Sequence, residues 1–189
     1  MLFPCLPAAA HFFIFKMQTM NTLSQKPFLR GVAEQVTNNT TGWIGHKPGN
    51  NETVIKGQTF IASGEGDLYR IEIFSSFVKE PGKVVLTLHD FDSQQNSWGR
   101  EIGNASLDFK KTDSGRWMAF DLHGLHLDKG KSYGFLLESN DSCIGVGEAA
   151  GSHQQPPLKT GQEWEFINGS KKGDAFSYFS LAFKVAVSD

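Results

Sequence analysis

Residues 68–73 read Leu68-Tyr69-Arg70-Ile71-Glu72-Ile73, and residues 84–90 read Val84-Val85-Leu86-Thr87-Leu88-His89-Asp90. In both stretches an apolar side chain recurs at every second position. Successive side chains of a β-strand point to opposite faces, so this period predicts strands with one buried and one solvated face. The pattern returns at 117–122, 132–138 and 179–187, while no stretch keeps a helical period. Many short strands separated by turn residues predict an all-β sandwich or barrel.

The alternation also makes finer predictions along the chain. In the last strand, Phe179, Leu181, Phe183 and Val185 should point into the core, and Ser180, Ala182 and Lys184 should face the other way. Ile102, Ala105 and Leu107 indicate a short irregular strand. The Gly, Pro and Gln residues of 145–161 indicate a long loop.

Composition and charge favour one globular domain with no affinity for nucleic acid. The chain has 189 residues, 39% of them hydrophobic, and a formal net charge of −2. We expect the β-sandwich to occupy residues 31–189. Residues 1–30 are expected to be a disordered arm, a degenerate leader or a mis-assigned start, with Met17 or Met20 as the true one. Their apolar run lacks a basic segment before it and is too short to span a bilayer.

The two cysteines, Cys5 and Cys143, are not expected to pair, because Cys5 lies in a segment outside the predicted domain. Cys143 sits in an apolar-leaning segment and is expected to be a small buried residue.

A series of short motifs, taken in order, resembles a recurrent bacterial β-sandwich. The motifs are Gly57-Gln58-Thr59-Phe60, Leu68/Ile71/Ile73, Pro81-Gly82, residues 84–90, Trp117/Phe120, Leu127/Gly130/Tyr133, Gly161, Trp164, Asn168-Gly169 and residues 180–185. Residues 53–187 are thus similar to jelly-roll modules of extracellular proteins and, more loosely, to galactose-binding-like and carbohydrate-binding modules. The resemblance implies an antiparallel two-sheet jelly-roll sandwich, an accessory ligand-binding role without catalysis, and an extracellular or cell-surface location.

No catalytic motif of a familiar kind is present, which agrees with a protein that is not an enzyme. Two pairs of carboxylates are spaced two residues apart, Asp90 with Asp92 and Glu163 with Glu165. Residues at this spacing on a strand point the same way, so neither pair suits the opposed carboxylates of a glycosidase. We expect them to be solvated carboxylates at strand ends.

Asp90 and Asp92 are also the candidate metal ligands. Ca²⁺ takes six to eight oxygen ligands, and these carboxylates with His89 and Asn96 nearby would supply part of such a set. The alternative is that Asp90 only caps a turn, and no Asp-x-Asp-x-Asp-Gly loop accompanies it.

The tryptophans give the best indication of function. Trp43, Trp98 and Trp164 lie in or beside segments rich in Gly and Asn, with Trp98 and Trp164 expected to be exposed at the loop end of the sandwich. Sugars are bound by an aromatic platform together with a few fixed polar groups. The candidate polar partners are Asn96, Arg100, Glu101 and Gln162.

The alternative for each tryptophan is core packing, which we expect for Trp117, the leading residue of a strand. The sequence therefore favours a non-catalytic module that binds carbohydrate or a cell-surface glycan. A structural or adhesion module that contacts protein is the main alternative, and a small hydrolase with an unrecognised site is another.

Overall fold

The fold is built almost entirely from antiparallel strands, in a computed structural model that describes residues 28–46, 49 and 52–188. These residues contain fourteen strands and one 3-10 turn, Lys111–Asp113, and no helix among them is long and apolar enough to cross a membrane. The strands are β1 (Leu29–Gln35), β2 (Thr40–His46), β3 (Thr53–Ile61), β4 (Gly66–Glu80), β5 (Gly82–Asp92), β6 (Ser97–Phe109), β7 (Arg116–Asp121), β8 (His126–Leu127), β9 (Ser132–Glu138), β10 (Cys143–Ala150), β11 (Glu163–Ile167), β12 (Asp174–Phe176), β13 (Phe179–Leu181) and β14 (Phe183–Ser188). The predicted arm, apart from its last three residues, lies outside the described residues.

The strands form one curled antiparallel sheet, which confirms the all-β prediction. Its order is β1-β14-β4-β10-β2-β3-β9-β5-β6, with β7 and β8 beside β4, β13 beside β10, and β11 between β3 and β12. The first part of β4 pairs with β14 and β7, while its end, from Ser75 to Glu80, pairs with β10 across two register shifts. Register shifts bend a strand and increase its twist. The architecture is compatible with a β-sandwich.

The main core follows from the alternation in the sequence. Val84, Leu86 and Leu88 on β5 are buried, as predicted for this strand. Aromatic rings fill the centre, where Phe183 lies 5.9 Å from Phe60 and 5.5 Å from Phe135 between ring centroids. Cys143 is buried as expected.

Two strands are longer than the sequence indicated. The short irregular strand around Ile102 is part of β6, which has thirteen residues because it pairs with β5 along nearly its whole length. The predicted loop at 145–161 begins only after Ala150, because β10 pairs with β2 and β4 through its glycine-rich part.

The last predicted strand divides into two strands, β13 and β14, which have different partners. Phe183 and Val185 are buried as expected, but Phe179 is only partly buried and Ser180 and Ala182 are fully buried. Ser180 is buried because of a polar contact that the alternation cannot reveal: Ser180 Oγ donates to Gln58 Oε1 at 3.1 Å, and Leu181 N donates to the same oxygen at 2.8 Å. Where the chain passes from β13 to β14, the side-chain oxygen of Gln58 thus accepts a hydrogen bond that a neighbouring strand would otherwise accept.

A buried ion cluster joins β3, β10 and β11. Nζ of Lys56 lies 2.6 Å from Oε1 of Glu163, 2.9 Å from Oε2 of Glu165 and 3.4 Å from Oε2 of Glu148. The side chain of Glu163 is 0% exposed, so the expectation of solvated carboxylates at 163 and 165 is wrong for Glu163. Lys56 lies on the same face of β3 as Phe60, and the charges are therefore turned toward the main core.

The cluster places one ammonium group among three carboxylates. Burial raises the pKa of Glu163 to about 8, and the charge of Glu148 adds to this effect while that of Lys56 opposes it. Burial disfavours the charge of Lys56, but the negative charges of Glu163 and Glu148 outweigh it and raise the pKa of Lys56. With three carboxylates around one ammonium group, folding favours the protonated form of Glu163 relative to the unfolded chain.

Phe183→Ala should lower the free energy of unfolding by about 3–5 kcal/mol, because it removes a fully buried ring from the centre of the core. Chemical denaturation followed by circular dichroism measures the change. Phe77→Ala is the matched control, since Phe77 is 53% exposed, and should cost less than about 1 kcal/mol. An unchanged midpoint for Phe183→Ala would contradict the assigned core.

The ion cluster should make stability depend on pH. Because the pKa of Glu163 rises from 4.5 unfolded to about 8 folded, only the folded state holds this proton between those values. The free energy of unfolding should therefore fall as the pH rises from about 5 to 8. Glu163→Gln should flatten this dependence, whereas Glu80→Gln, at an exposed position, should leave it unchanged. Urea denaturation at several pH values measures the slope, and a wild-type slope in Glu163→Gln would show that the proton is held elsewhere.

Candidate functional site

An aromatic cluster lies apart from the main core and contains two of the predicted site residues. Trp98 on β6 and Trp164 on β11 meet edge to face, with 5.8 Å between ring centroids. Phe91 contacts both indoles, and Phe166 stacks beside Trp164 at 6.3 Å. Trp164 and Phe166 are two residues apart on β11, so they share the face opposite Glu163 and Glu165.

The expectation that both tryptophans are exposed needs correction. Trp164 is only 6% exposed and Trp98 is partly buried, because each ring covers the other and Phe91 covers both. Within the described residues, the Nε1 atoms of Trp98 and Trp164 are buried and have no hydrogen-bond partner. An unpaired buried N–H costs free energy, so an acceptor that reached either indole would be bound favourably.

Two glycines allow the indole of Trp98 to reach across the sheet. A Cβ atom at Gly134 of β9 would come within 2.6 Å of the indole ring, and one at Gly57 of β3 within 3.0 Å. Any larger residue at Gly134 would displace the ring, since real Cβ contacts of that length do not occur. The indole of Trp98 therefore packs directly on the backbone of these two glycines as it extends from β6 toward β11.

A groove with a volume of about 490 Å³ is lined by this cluster and by two polar segments. Trp98, Trp164 and Phe166 supply its aromatic surface. The polar lining comes from the turn before β6 and from the turn before β12, with side chains from Gln95, Asn96, Ser97, Lys171, Lys172 and Asp174. Its size is in the range of pockets that hold small ligands.

Asn96 and Gln162 are joined by a hydrogen bond, which we call the amide bridge. Gln162 Nε2 donates to Asn96 Oδ1 at 2.7 Å. The backbone of Gln162 is fixed to β3, because its N–H donates to Thr59 Oγ1 at 3.0 Å and its carbonyl accepts from Thr59 N at 3.0 Å. In the described chain, Asn96 Nδ2 and Gln162 Oε1 have no partner, so the bridge leaves one donor and one acceptor available.

A second pocket, of about 350 Å³, adjoins the groove at Asn96, which lines both. Its lining is rich in hydroxyl and amide groups from Thr59, Ser93, Ser132, Thr160, Gln162 and Ser177, with Lys159 as its charged residue. Leu158 and Phe91 add apolar surface. Much of this pocket is built by the segment after β10, which folds back against β3.

The structure brings together four of the six predicted site residues, Trp98, Trp164, Asn96 and Gln162. Trp43 is not among them, because it lies on β2, and β3, β9 and β5 separate β2 from β6 in the sheet order. Arg100 is 83% exposed and its Nε lies 3.4 Å from Asp90 Oδ2. A register shift between β5 and β6 near His89 breaks the alternation that would have placed Arg100 beside Trp98.

The candidate metal ligands Asp90 and Asp92 have other partners. Asp90 contacts Lys131 Nζ at 2.9 Å as well as Arg100, and the hydrogen bond from Lys131 lowers the pKa of Asp90 below its ordinary value. Asp92 Oδ1 accepts the backbone N–H groups of Gln94 and Gln95 at 2.9 and 3.0 Å, which fixes the turn between β5 and β6. In the part of the chain that the structure describes, no group of three His, Cys, Asp or Glu side chains is placed to hold a metal ion.

Several residues of the site were missed by the sequence analysis. Phe166 could have been found, since it follows Trp164 at strand spacing and must share its face. Lys159, Lys171 and Lys172 carry no local signal, because only the fold brings their loops to the aromatic cluster.

Comparison with known proteins adds no family to this description. No protein-family model matches the sequence, and no curated protein is detectably similar to it.

Proposed function

We propose that this protein is a non-catalytic module of the two-sheet jelly-roll type that binds carbohydrate or a glycoconjugate in the aromatic groove. The observation that carries the proposal is the juxtaposition of Trp98 and Trp164 with the amide bridge at one groove. The residues come from distant parts of the chain, so the combination is a product of the fold.

The chemistry of a sugar matches both parts of the groove. A pyranose ring has an apolar face of C–H groups, which packs against aromatic surface such as that of Trp98. Its hydroxyl groups each donate and accept, which matches the free donor on Asn96 and the free acceptor on Gln162. The buried ion cluster supports a binding role over a hydrolytic one, because its carboxylates are turned to the opposite face of β11 from Trp164.

A protein-binding or adhesion role is the second candidate, and a different surface favours it. Phe77 on β4 is 53% exposed and pairs in register with Gly145 of β10, which in turn pairs with Trp43 of β2. An exposed aromatic residue such as Phe77 is a feature of surfaces that contact other proteins. Failure of the intact protein to bind any glycan would direct attention to this surface.

Trp98→Ala should weaken glycan binding by about 1–3 kcal/mol, the scale of one lost aromatic contact. A glycan array identifies ligands, and titration calorimetry with the best of them measures the change. Trp117→Ala is the matched control: Trp117 is also partly buried and contacts Phe74 and Lys184, but it lines neither pocket. Its loss should reduce stability and leave affinity unchanged.

Thermal melts of both variants separate lost binding from lost folding. If Trp98→Ala proves unstable, Asn96→Gly provides the second test, because Asn96 has a φ of +51° that glycine adopts freely. The control is Asn168→Gly, at an asparagine with a φ of +52° outside both pockets. Binding that survives both Trp98→Ala and Asn96→Gly, or no binding by the intact protein, would contradict the proposed function.

A further inference from the structure

Two pockets meet at the amide bridge, and together they are larger than a single sugar requires. The groove has a volume of about 490 Å³ and the second pocket about 350 Å³, and each alone falls within the size range of small-ligand sites. Asn96 lines both of them, and Gln162 lines the second. A ligand held by the free groups of the bridge would therefore contact both pockets at once.

The backbone around the bridge is held in place before any ligand binds. Asn96 has a left-handed conformation, with a φ of +51°, in a turn fixed by the Asp92 carboxylate. Gln162 is fixed to Thr59 by backbone hydrogen bonds. Groups that are ordered in advance lose less entropy on binding, so the bridge suits a point of recognition within a longer ligand.

The charged side chains that line the two pockets are mostly lysines. Lys171 and Lys172 line the groove and Lys159 lines the second pocket, whereas Asp174 is the carboxylate among the lining residues. All three lysines are exposed, and none of them forms an ion pair within the described residues. The local charge is positive although the chain as a whole has a formal net charge of −2. Positive side chains on both sides of the bridge attract a ligand with repeated negative charges.

We infer that the ligand is an acidic oligosaccharide, with carboxylate or sulfate groups, that lies across the amide bridge and occupies both pockets. This inference rests on the proposed function and names its ligand class. Sugar rings pack against Trp98 in the groove, the bridge hydrogen-bonds to hydroxyl groups at the centre, and Lys159 meets an acidic group on the far side. The polar lining of the second pocket receives the remaining hydroxyl groups.

The test compares three series of oligosaccharides, each as a disaccharide and a hexasaccharide, by titration calorimetry. The series are oligogalacturonates, sulfated galactan fragments and neutral cello-oligosaccharides. The hexasaccharide of one of the two acidic series should bind more tightly, by about tenfold or more, than the disaccharide of the same series. It should exceed the neutral hexasaccharide in affinity by the same factor. Its affinity should also fall as salt is added, since salt screens exposed charges. Whichever of the two acidic series binds more tightly identifies the acidic group as a carboxylate or a sulfate.

Variants then assign the two ends of the ligand. The double variant Lys171→Gln with Lys172→Gln should weaken binding of the acidic hexasaccharide, and Lys159→Gln should weaken it independently. Lys110→Gln with Lys111→Gln is the matched control, at the exposed 3-10 turn away from both pockets, and should have no effect. Circular dichroism confirms that every variant is folded.

The outcomes separate this inference from the function on which it rests. A neutral hexasaccharide that binds as tightly as the acidic ones, equal affinity for disaccharide and hexasaccharide, or an unaffected Lys159→Gln variant would overturn the inference and leave a carbohydrate-binding role standing. Failure of every oligosaccharide to bind, here and on the glycan array, would overturn both.

Discussion

The contact between Lys56 and its three carboxylates fixes how β11 lies on the sheet. Taking charges out of water is costly, and a buried ion cluster is tolerated only when its partners are held in good geometry. Lys56 pairs in register with Glu165, and Gln58 pairs with Glu163, so the ion contacts and the strand register agree. A slip of one residue would turn Glu163 toward the aromatic face and Trp164 toward the charges. The cluster therefore selects one register of β11, at a cost in desolvation.

The orientation of β11 in turn determines the candidate site. With Glu163 directed to the core side, Trp164 and Phe166 must lie on the other face, where they join Phe91 and Trp98. Gly57 and Gly134 lie beneath Trp98 and permit its indole to approach the sheet backbone. The aromatic groove thus lies on one face of β11, and the ion cluster lies on the other.

The loops complete the site with polar groups that the strands do not provide. The turn between β5 and β6 contributes Asn96, and the segment before β11 contributes Gln162, each fixed by hydrogen bonds of its own. Lys159 comes from the same segment as Gln162, and Lys171 and Lys172 come from the turn between β11 and β12. A rigid sheet with an aromatic surface, surrounded by ordered polar loops, is a common arrangement for ligand recognition.

Much of the candidate site can be predicted from the sequence. The parts that cannot depend on how strands from distant parts of the chain pair and pack. Trp98, Trp164, Asn96 and Gln162 were predicted from their local setting of polar and glycine residues, and they do lie together. The predicted exposure of Trp164 is higher than the observed one, because a tryptophan next to a loop can still be covered by rings from other strands. The same local setting predicts Arg100 and Trp43 as site residues, but a register shift and the strand order place them elsewhere.

The sequence by itself determined that this chain is an all-β antiparallel protein. It also determined where the strands in the middle of the sequence lie, and which residues of β5 and β14 are buried. Alternation with period two is a local property, and it survives in any fold that covers one face of a strand. Only the tertiary structure decided which face of β11 turns toward the core. Both faces of that strand are covered, by charges on one side and by aromatic rings on the other, and a pattern of Glu and Trp in alternation is consistent with either orientation. The choice depends on Lys56, which lies more than a hundred residues earlier in the chain.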